Sequence, residues 1–497
     1  MAIDGLGLRS TYISTSLLNM RSQFDDLQRQ LSTGQKSDTY AGLGVGRSFS
    51  VGLRAQLSNL SSYADTIANL NTRINIGNTV LQRTIDIGNS IKTAAAGAST
   101  QIENNGQTMA QVQATNSLAE MLQLLNTQSG DRYLFSGRAT DTPAVASVGD
   151  IMDGSGAKAG LKQIIAERKQ ADLGAAGLGR LAIGAPTTTS VQIAEETAGS
   201  PFGMKLDAVT SSLTGATVTG PAGSPPAISV DLAANPNPGD KIKFSFKLPD
   251  GSSEVIELTA STNDPLGPGE FAIGATSDAT AANLQSALTT SVGKLANTSL
   301  VAASALAASD NFFSASPPLR VDGPPFDTAT SLINGTPNNT VQWYTGEDGA
   351  DPARGTAVAR IDQSITVQYG ARANEEGLRW QLQTIAAYAA VTTSASDPSA
   401  KEQMLALSSR VAANLAPQQG KQSIQNIQSE FAGTQDAMKA ATDRQTLTKS
   451  MAQSMLDGIE GISNEEVIAK LLALQTNLQA SYQTTSMMYQ LSLVKYI

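Results

Sequence analysis

Two proline-free stretches, one near each end of the chain, carry an apolar stripe that nothing adjacent in sequence covers. Near the start, Ile13, Leu17, Met20, Phe24, Leu27 and Leu31 recur in steps of four and three, which places all six on one seam of a helix. Toward the other end, Val467, Leu471, Leu474 and Leu478 repeat the rhythm, and Tyr482, Thr485, Met488 and Leu491 continue it. Burying side chains of this kind is worth about 1.5–3 kcal/mol each, while ordering a residue costs about 1.5 kcal/mol. Six apolar groups cannot order the nineteen residues from Ile13 to Leu31 by themselves. Both ends therefore require helical partners, either each other or neighbouring copies. The residues expected at such an interface are Ile13, Leu17, Met20, Phe24, Leu27, Leu31, Val467, Leu471, Leu474, Leu478, Tyr482, Met488 and Leu491.

Proline placement maps the remainder. Fourteen of the nineteen prolines fall between Pro201 and Pro337, and residues 1–142 and 418–497 contain none, so helix is permitted at the ends and interrupted in the middle. Ser32, Thr33 and Gly34 stop the first helix, and Gly42, Gly44 and Gly46 suggest a hinge. A long second helix from about Ser50 is expected to run its seam through Leu53, Leu57, Leu60, Ala64, Ile67, Asn71, Ile74, Asn78, Leu81 and Ile85, with the two asparagines interrupting it. A third helix near Gln107–Thr127 folds back on it. Further helices are expected around 375–391, through Met404, Leu407 and Val411, and from Ile424 onward, with Ser463 and Glu466 forming a capping box that opens the last one. In the middle, Lys241–Leu248 and the run around Val255, Glu257 and Thr259 alternate about a Pro249-Asp250-Gly251-Ser252 turn, a β-hairpin to which Ile228–Leu232 adds a third strand.

The resulting fold class is mainly α with an α+β insert: a long antiparallel helical bundle formed by both termini, and a variable β-containing domain inserted between them. Its expected divisions are 1–45, an N-terminal assembly helix; 46–180, the first half of a bundle domain; 181–350, an inserted surface-facing α+β domain; 351–455, the second half of the bundle; and 456–497, a C-terminal assembly helix.

Composition narrows the chemistry. The chain has neither cysteine nor histidine, which removes thiol nucleophiles, disulfides, Ser-His-Asp triads and the usual zinc sites. A net charge of −9 without any concentrated Lys/Arg segment argues against nucleic acid and anionic membrane surfaces. No signal-peptide pattern and no membrane span is expected. Gly42–Gly46 lacks the lysine and Ser/Thr of a phosphate loop. Adjacent Glu375 and Glu376 would point apart on a helix, unlike a catalytic pair. Trp343 and Trp380 are expected to cover a domain boundary, and Glu347, Asp348 and Asp351 lack the spacing of a standard calcium loop. No catalytic residue, cofactor or metal site is expected; a carboxylate-based glycosidase in the middle segment is the enzymatic alternative.

Three segments carry a family resemblance. Leu31-Ser32-Thr33-Gly34-Gln35-Lys36, Gly130-Asp131-Arg132-Tyr133-Leu134-Phe135-Ser136-Gly137 and Leu491-Ser492-Leu493-Val494-Lys495-Tyr496-Ile497 resemble the flagellin superfamily, most closely its hook-associated protein 3 branch. The resemblance covers about residues 1–140 and 365–497. It departs from filament flagellins after Asp38, where Thr39-Tyr40-Ala41-Gly42 replaces an acidic pair. It implies a secreted, extracellular structural subunit at the junction of hook and filament, exported by the flagellar type III route. Implied partners are other copies of itself in a helical homo-oligomer, another hook-associated protein, flagellin subunits, and an export chaperone at the C-terminal helix. The alternative within the family is flagellin, the filament subunit.

Overall fold

The structure, a computed structural model, describes residues 4–494, with side chains from residue 11 to residue 488 and at Gln490. It is helix-rich with a β portion, and its contacts divide it into two units. The terminal unit holds residues up to Asn71, Ala359–Val367 and Gln435 onward; the larger unit holds Thr72–Val358 and Gln368–Thr434.

Helix α1 spans Asp4–Thr33 and stops at Gly34, whose φ of 71° lets its N–H reach back to the Gln30 carbonyl at 2.8 Å. The expected hinge at Gly42–Gly46 is instead a 3₁₀ turn, Tyr40–Gly46, kinked at Gly44. Gly42 sits so close to Ser37 that a Cβ would lie 2.1 Å from its hydroxyl oxygen, while that hydroxyl accepts from the Thr39 N–H at 3.1 Å. Helix α2 then runs unbroken over Arg47–Ala96.

The buried seam of α2 keeps the expected 3.5-residue spacing but shifts phase. It passes through Ile67, Leu70, Ile74, Gly77, Leu81, Thr84, Gly88, Ile91 and Ala95, leaving Asn71, Asn78 and Ile85 half-buried beside it. The reason is steric. A Cβ on Gly88 would meet the Gln381 amide at 2.5 Å, and at Gly77 the Phe431 ring already packs at ordinary contact distance, 3.4 Å, so other side chains fill the seam where these residues have none. Helix α3, Met109–Leu125, returns antiparallel: Arg83 forms a two-point pair with Glu120 at 2.6 and 3.0 Å, and Gln113 donates to Ser90 at 3.0 Å. It opens with a capping box between Thr108 and Gln111.

Strands β1 (Gln128–Ser129) and β2 (Arg132–Tyr133) form a small hairpin, followed by α4 (Val148–Asp153) and α5 (Leu161–Leu173). Then come β3 (Leu181–Gly184), β4 (Ser190–Glu195), β5 (Lys205–Ser211), β6 (Ala216–Ala222), β7 (Ala227–Leu232), β8 (Lys241–Lys247), β9 (Ser253–Ser261) and β10 (Glu270–Ala272). They build two four-stranded sheets, ordered β3-β4-β7-β6 and β10-β9-β8-β5. The β8–β9 hairpin forms with Ile242, Phe244 and Phe246 inward and Lys241, Lys243 and Lys247 outward. The segment Ile228–Leu232 does not join it. The Gly223-Ser224-Pro225-Pro226 turn folds β7 onto β6, and prolines 236 and 238 end it before β8, so β7 pairs with β4 and β6 in the other sheet.

Helices α6 (Ser277–Leu295) and α7 (Val301–Ser314), joined by a π-helical turn at Ala296–Leu300, were not anticipated, although no proline falls between 269 and 316. Leu284, Leu288 and Val292 of α6 pack into the core shared by both sheets. The chain closes through β11 (Leu319–Val321), β12 (Leu332–Asn334), β13 (Val358–Arg360), β14 (Thr366–Gln368), α8 (Glu376–Ala390), α9 (Ala400–Asn414), α10 (Ile424–Glu460) and α11 (Asn464–Val494). In the larger unit α8 is buried on almost every side, and Gln111 ties α3 to its end by donating to the Tyr388 and Val391 carbonyls at 3.1 and 2.8 Å. Phe244→Ala is expected to destabilise the larger unit by about 3–5 kcal/mol, read as a lower unfolding midpoint in denaturant with an unchanged slope.

Candidate assembly surface

In the terminal unit, α1 and α11 pack against each other and cover their stripes in part. Val467 is buried, at 5% exposure. Ile13, Leu17, Met20, Phe24, Leu27, Leu471, Leu474 and Leu478 are half-buried, while Leu31, Tyr482 and Met488 are exposed. The side chain of Leu491 lies outside the described residues. Other apolar groups face solvent nearby: Leu18 on α1 is 69% exposed, and Leu472 on α11 is 59% exposed beside Ile468. Helix α11 thus carries apolar side chains around more than one side, a pattern that belongs to helices covered all round. On α10, Leu447, Met451 and Met455 form a second exposed line at steps of four. Of the large hydrophobics exposed among the described residues, fifteen of twenty-one fall in the terminal unit, which holds the smaller share of the chain, so its surface is the unusual one.

A polar staple holds the inner ends of these helices. Gln35 and Gly461 form an antiparallel bridge, with Lys36 N–H donating to the Glu460 carbonyl at 2.7 Å and Ile462 N–H to that of Gly34 at 3.2 Å. The Lys36 ammonium donates to the last carbonyls of α10, Gly458 and Ile459, at 3.2 and 3.0 Å, where a cation suits the helix dipole. The Glu460 carboxylate receives Arg54 at 3.0 and 2.6 Å and the Ser50 hydroxyl. The Arg54 hydrogen bond, then the Ser50 bond and the attraction of Arg54, hold the Glu460 carboxyl below its ordinary range against the cost of burial. Sequence reading missed this cluster. Its signal was an acid at a helix C-terminus, where the dipole disfavours it unless cations meet it.

The expected capping box at Ser463 forms by half. The Ser463 hydroxyl accepts from the Glu466 N–H at 3.3 Å, but Glu466 pairs with Lys470 one turn on, and the Ser463 hydroxyl donates to the Glu465 carboxylate at 2.8 Å. The Lys470 ammonium is the stronger competitor for the Glu466 carboxylate.

Other singled-out residues serve structure inside the larger unit. Glu375 meets Arg354 and the Arg372 N–H, whereas Glu376 accepts from the Gln422 N–H at 3.1 Å, so the two carboxylates act separately. Glu347 and Asp351 both hold Arg138, and Asp348 accepts from Asn374. Among the described residues, no cluster of three acidic side chains has the placement to hold a metal ion. Trp343 donates to the Phe313 carbonyl at 2.9 Å and packs on the Phe313 ring; Trp380 donates to the Asn414 carbonyl at 2.7 Å under Lys421. Both tryptophans lie within the larger unit and anchor segments there. No helix among the described residues is long and apolar enough to cross a membrane.

No protein-family model matches the chain, and no curated protein matches it significantly.

Because Glu460 ionises more readily folded than unfolded, its stabilisation is complete above the unfolded carboxyl value of about 4.5 and is lost as pH falls through the lower folded value. The Lys36 and Ile462 amides are therefore expected to stay protected from neutral pH to about 4.5 and to lose protection in more acidic solution. Glu460→Gln should shift that loss to neutral pH, measured by amide exchange corrected for intrinsic rates.

Proposed function

We propose that this protein is a non-catalytic structural subunit of a bacterial flagellum, joining hook to filament by helical stacking of its terminal segments. One observation carries the reading. Helices from opposite ends of the chain pair with each other and still leave their apolar stripes half-covered, as a subunit awaiting neighbours would. The resemblance of Leu31–Lys36, Gly130–Gly137 and Leu491–Ile497 to the hook-associated protein 3 branch supplies the identity of those neighbours. In this reading the two termini form one long antiparallel bundle in an inner tube, and the two-sheet segment is the variable insert. The partners are further copies, another hook-associated protein on one side and flagellin on the other. Export proceeds in the unfolded state through the type III apparatus, with a chaperone shielding α11 beforehand.

Immunogold labelling of isolated flagella tests the location. A single band at the hook's outer end is the expected result; label along the whole shaft would make the chain the filament flagellin instead.

Leu474→Asp tests the surface. A charge there costs at least about 2 kcal/mol once neighbours remove water from it, or roughly thirtyfold in association, while the larger unit stays folded. Loss of attached filaments and of swimming with hooks intact is expected; normal filament length in that variant would end the proposal.

A further inference from the structure

A cleft of about 300 Å³ lies wholly inside the larger unit, between the second half of α2, the β1–β2 hairpin and the segment around Tyr369. Its charged lining is all of one sign. Arg73, Arg132 and Arg138 line it, and no aspartate or glutamate does, in a chain whose acids outnumber its bases by 43 to 34. Arg138 is already neutralised by Glu347 at 2.7 Å and Asp351 at 2.8 Å. The other two guanidiniums meet no carboxylate among the described residues. Arg73 donates to the Tyr369 hydroxyl at 3.3 Å, and Arg132 is exposed at the mouth.

The remaining lining is aromatic and hydroxylic. Phe135 and Phe431 contribute apolar wall, with Gly77 beside the Phe431 ring. The Tyr133 and Thr140 hydroxyls make no side-chain hydrogen bond among the described residues, and Tyr369, which accepts from Arg73, keeps its own proton to donate. Two uncompensated guanidiniums select an anion, and carboxylate matches their planar fork. Hydroxyl donors beside aromatic surface suit a hydroxylated ring, and the volume stands at the small end of ligand pockets.

We propose that this cleft binds a small hydroxylated carboxylic acid of the sugar-acid class, its carboxylate held by Arg73 and Arg132 and its hydroxyls by Tyr133, Thr140 and Tyr369.

Ligand-observed NMR on the full-length protein, with D-glucuronate, D-glucose and inorganic phosphate as probes, tests it. Glucuronate is expected to bind, more weakly as salt rises, and glucose not to bind. Arg132→Gln and Arg73→Gln are each expected to weaken glucuronate by at least about tenfold, with Arg132→Lys retaining part of the affinity and all three variants unfolding at the wild-type temperature. Arg132 is exposed, so its substitution leaves folding intact and keeps the test decisive even if Arg73→Gln disturbs α2. Equal binding of glucose, phosphate binding as tight as glucuronate, undiminished binding by Arg132→Gln, or no glucuronate binding at all would each overturn the assignment.

Discussion

Glu460 is an acid at the end of a helix that electrostatically prefers a base, and much of the terminal unit is arranged around that mismatch. Arg54 and Ser50 from the start of α2 satisfy its carboxylate, and Lys36 from just beyond α1 supplies the missing cation to the carbonyls before it. A single side chain therefore brings together segments more than 400 positions apart in sequence. The adjoining backbone bridge of Gln35 with Gly461 ties the segment just after α1 to the segment just before α11. The pairing of the two outer helices follows from that placement. Their mutual contact covers the stripes in part and leaves Leu18, Leu31, Leu472, Tyr482 and Met488 exposed.

What could be read from the chain depended on whether a side chain announced its role through hydrophobicity. The α1 stripe, the antiparallel return of α3 and the β8–β9 alternation all rest on apolar residues at regular intervals, and these elements are present. The phase of α2 was misread because two of its seam positions are Gly77 and Gly88, which contribute space instead of surface. Their value lies in Phe431 and Gln381, residues hundreds of positions later, and no local window contains that information. Likewise β7 had the composition of a strand, while its choice of sheet was set by the proline-rich turns on either side.

Polar residues were legible only where competition was absent. Thr108 and Gln111 form a complete reciprocal cap, and no Lys or Arg among the described residues bonds to Gln111, whereas the Ser463 motif lost its glutamate to Lys470. The apolar stripes of α1 and α11 are legible from spacing, but the polar staple beside them is not, since Lys36, Arg54 and Glu460 share no periodicity. The arginine-lined cleft was equally hidden: Arg73 and Arg132 are separated by the rest of the α2–α3 hairpin and converge only once it has closed.

Methionine is overrepresented where the terminal unit meets solvent, with Met451, Met455, Met487 and Met488 all exposed. Unbranched thioethers mould themselves to whatever lies opposite, so one such surface can seat against two differently shaped neighbours without a change of sequence. The same sulfur atoms accept oxygen readily, and a sulfoxide is polar and stiff in comparison. If the chain is the stacking subunit proposed above, a copy left outside its lattice would thus age chemically at these side chains, and prompt incorporation would be its protection.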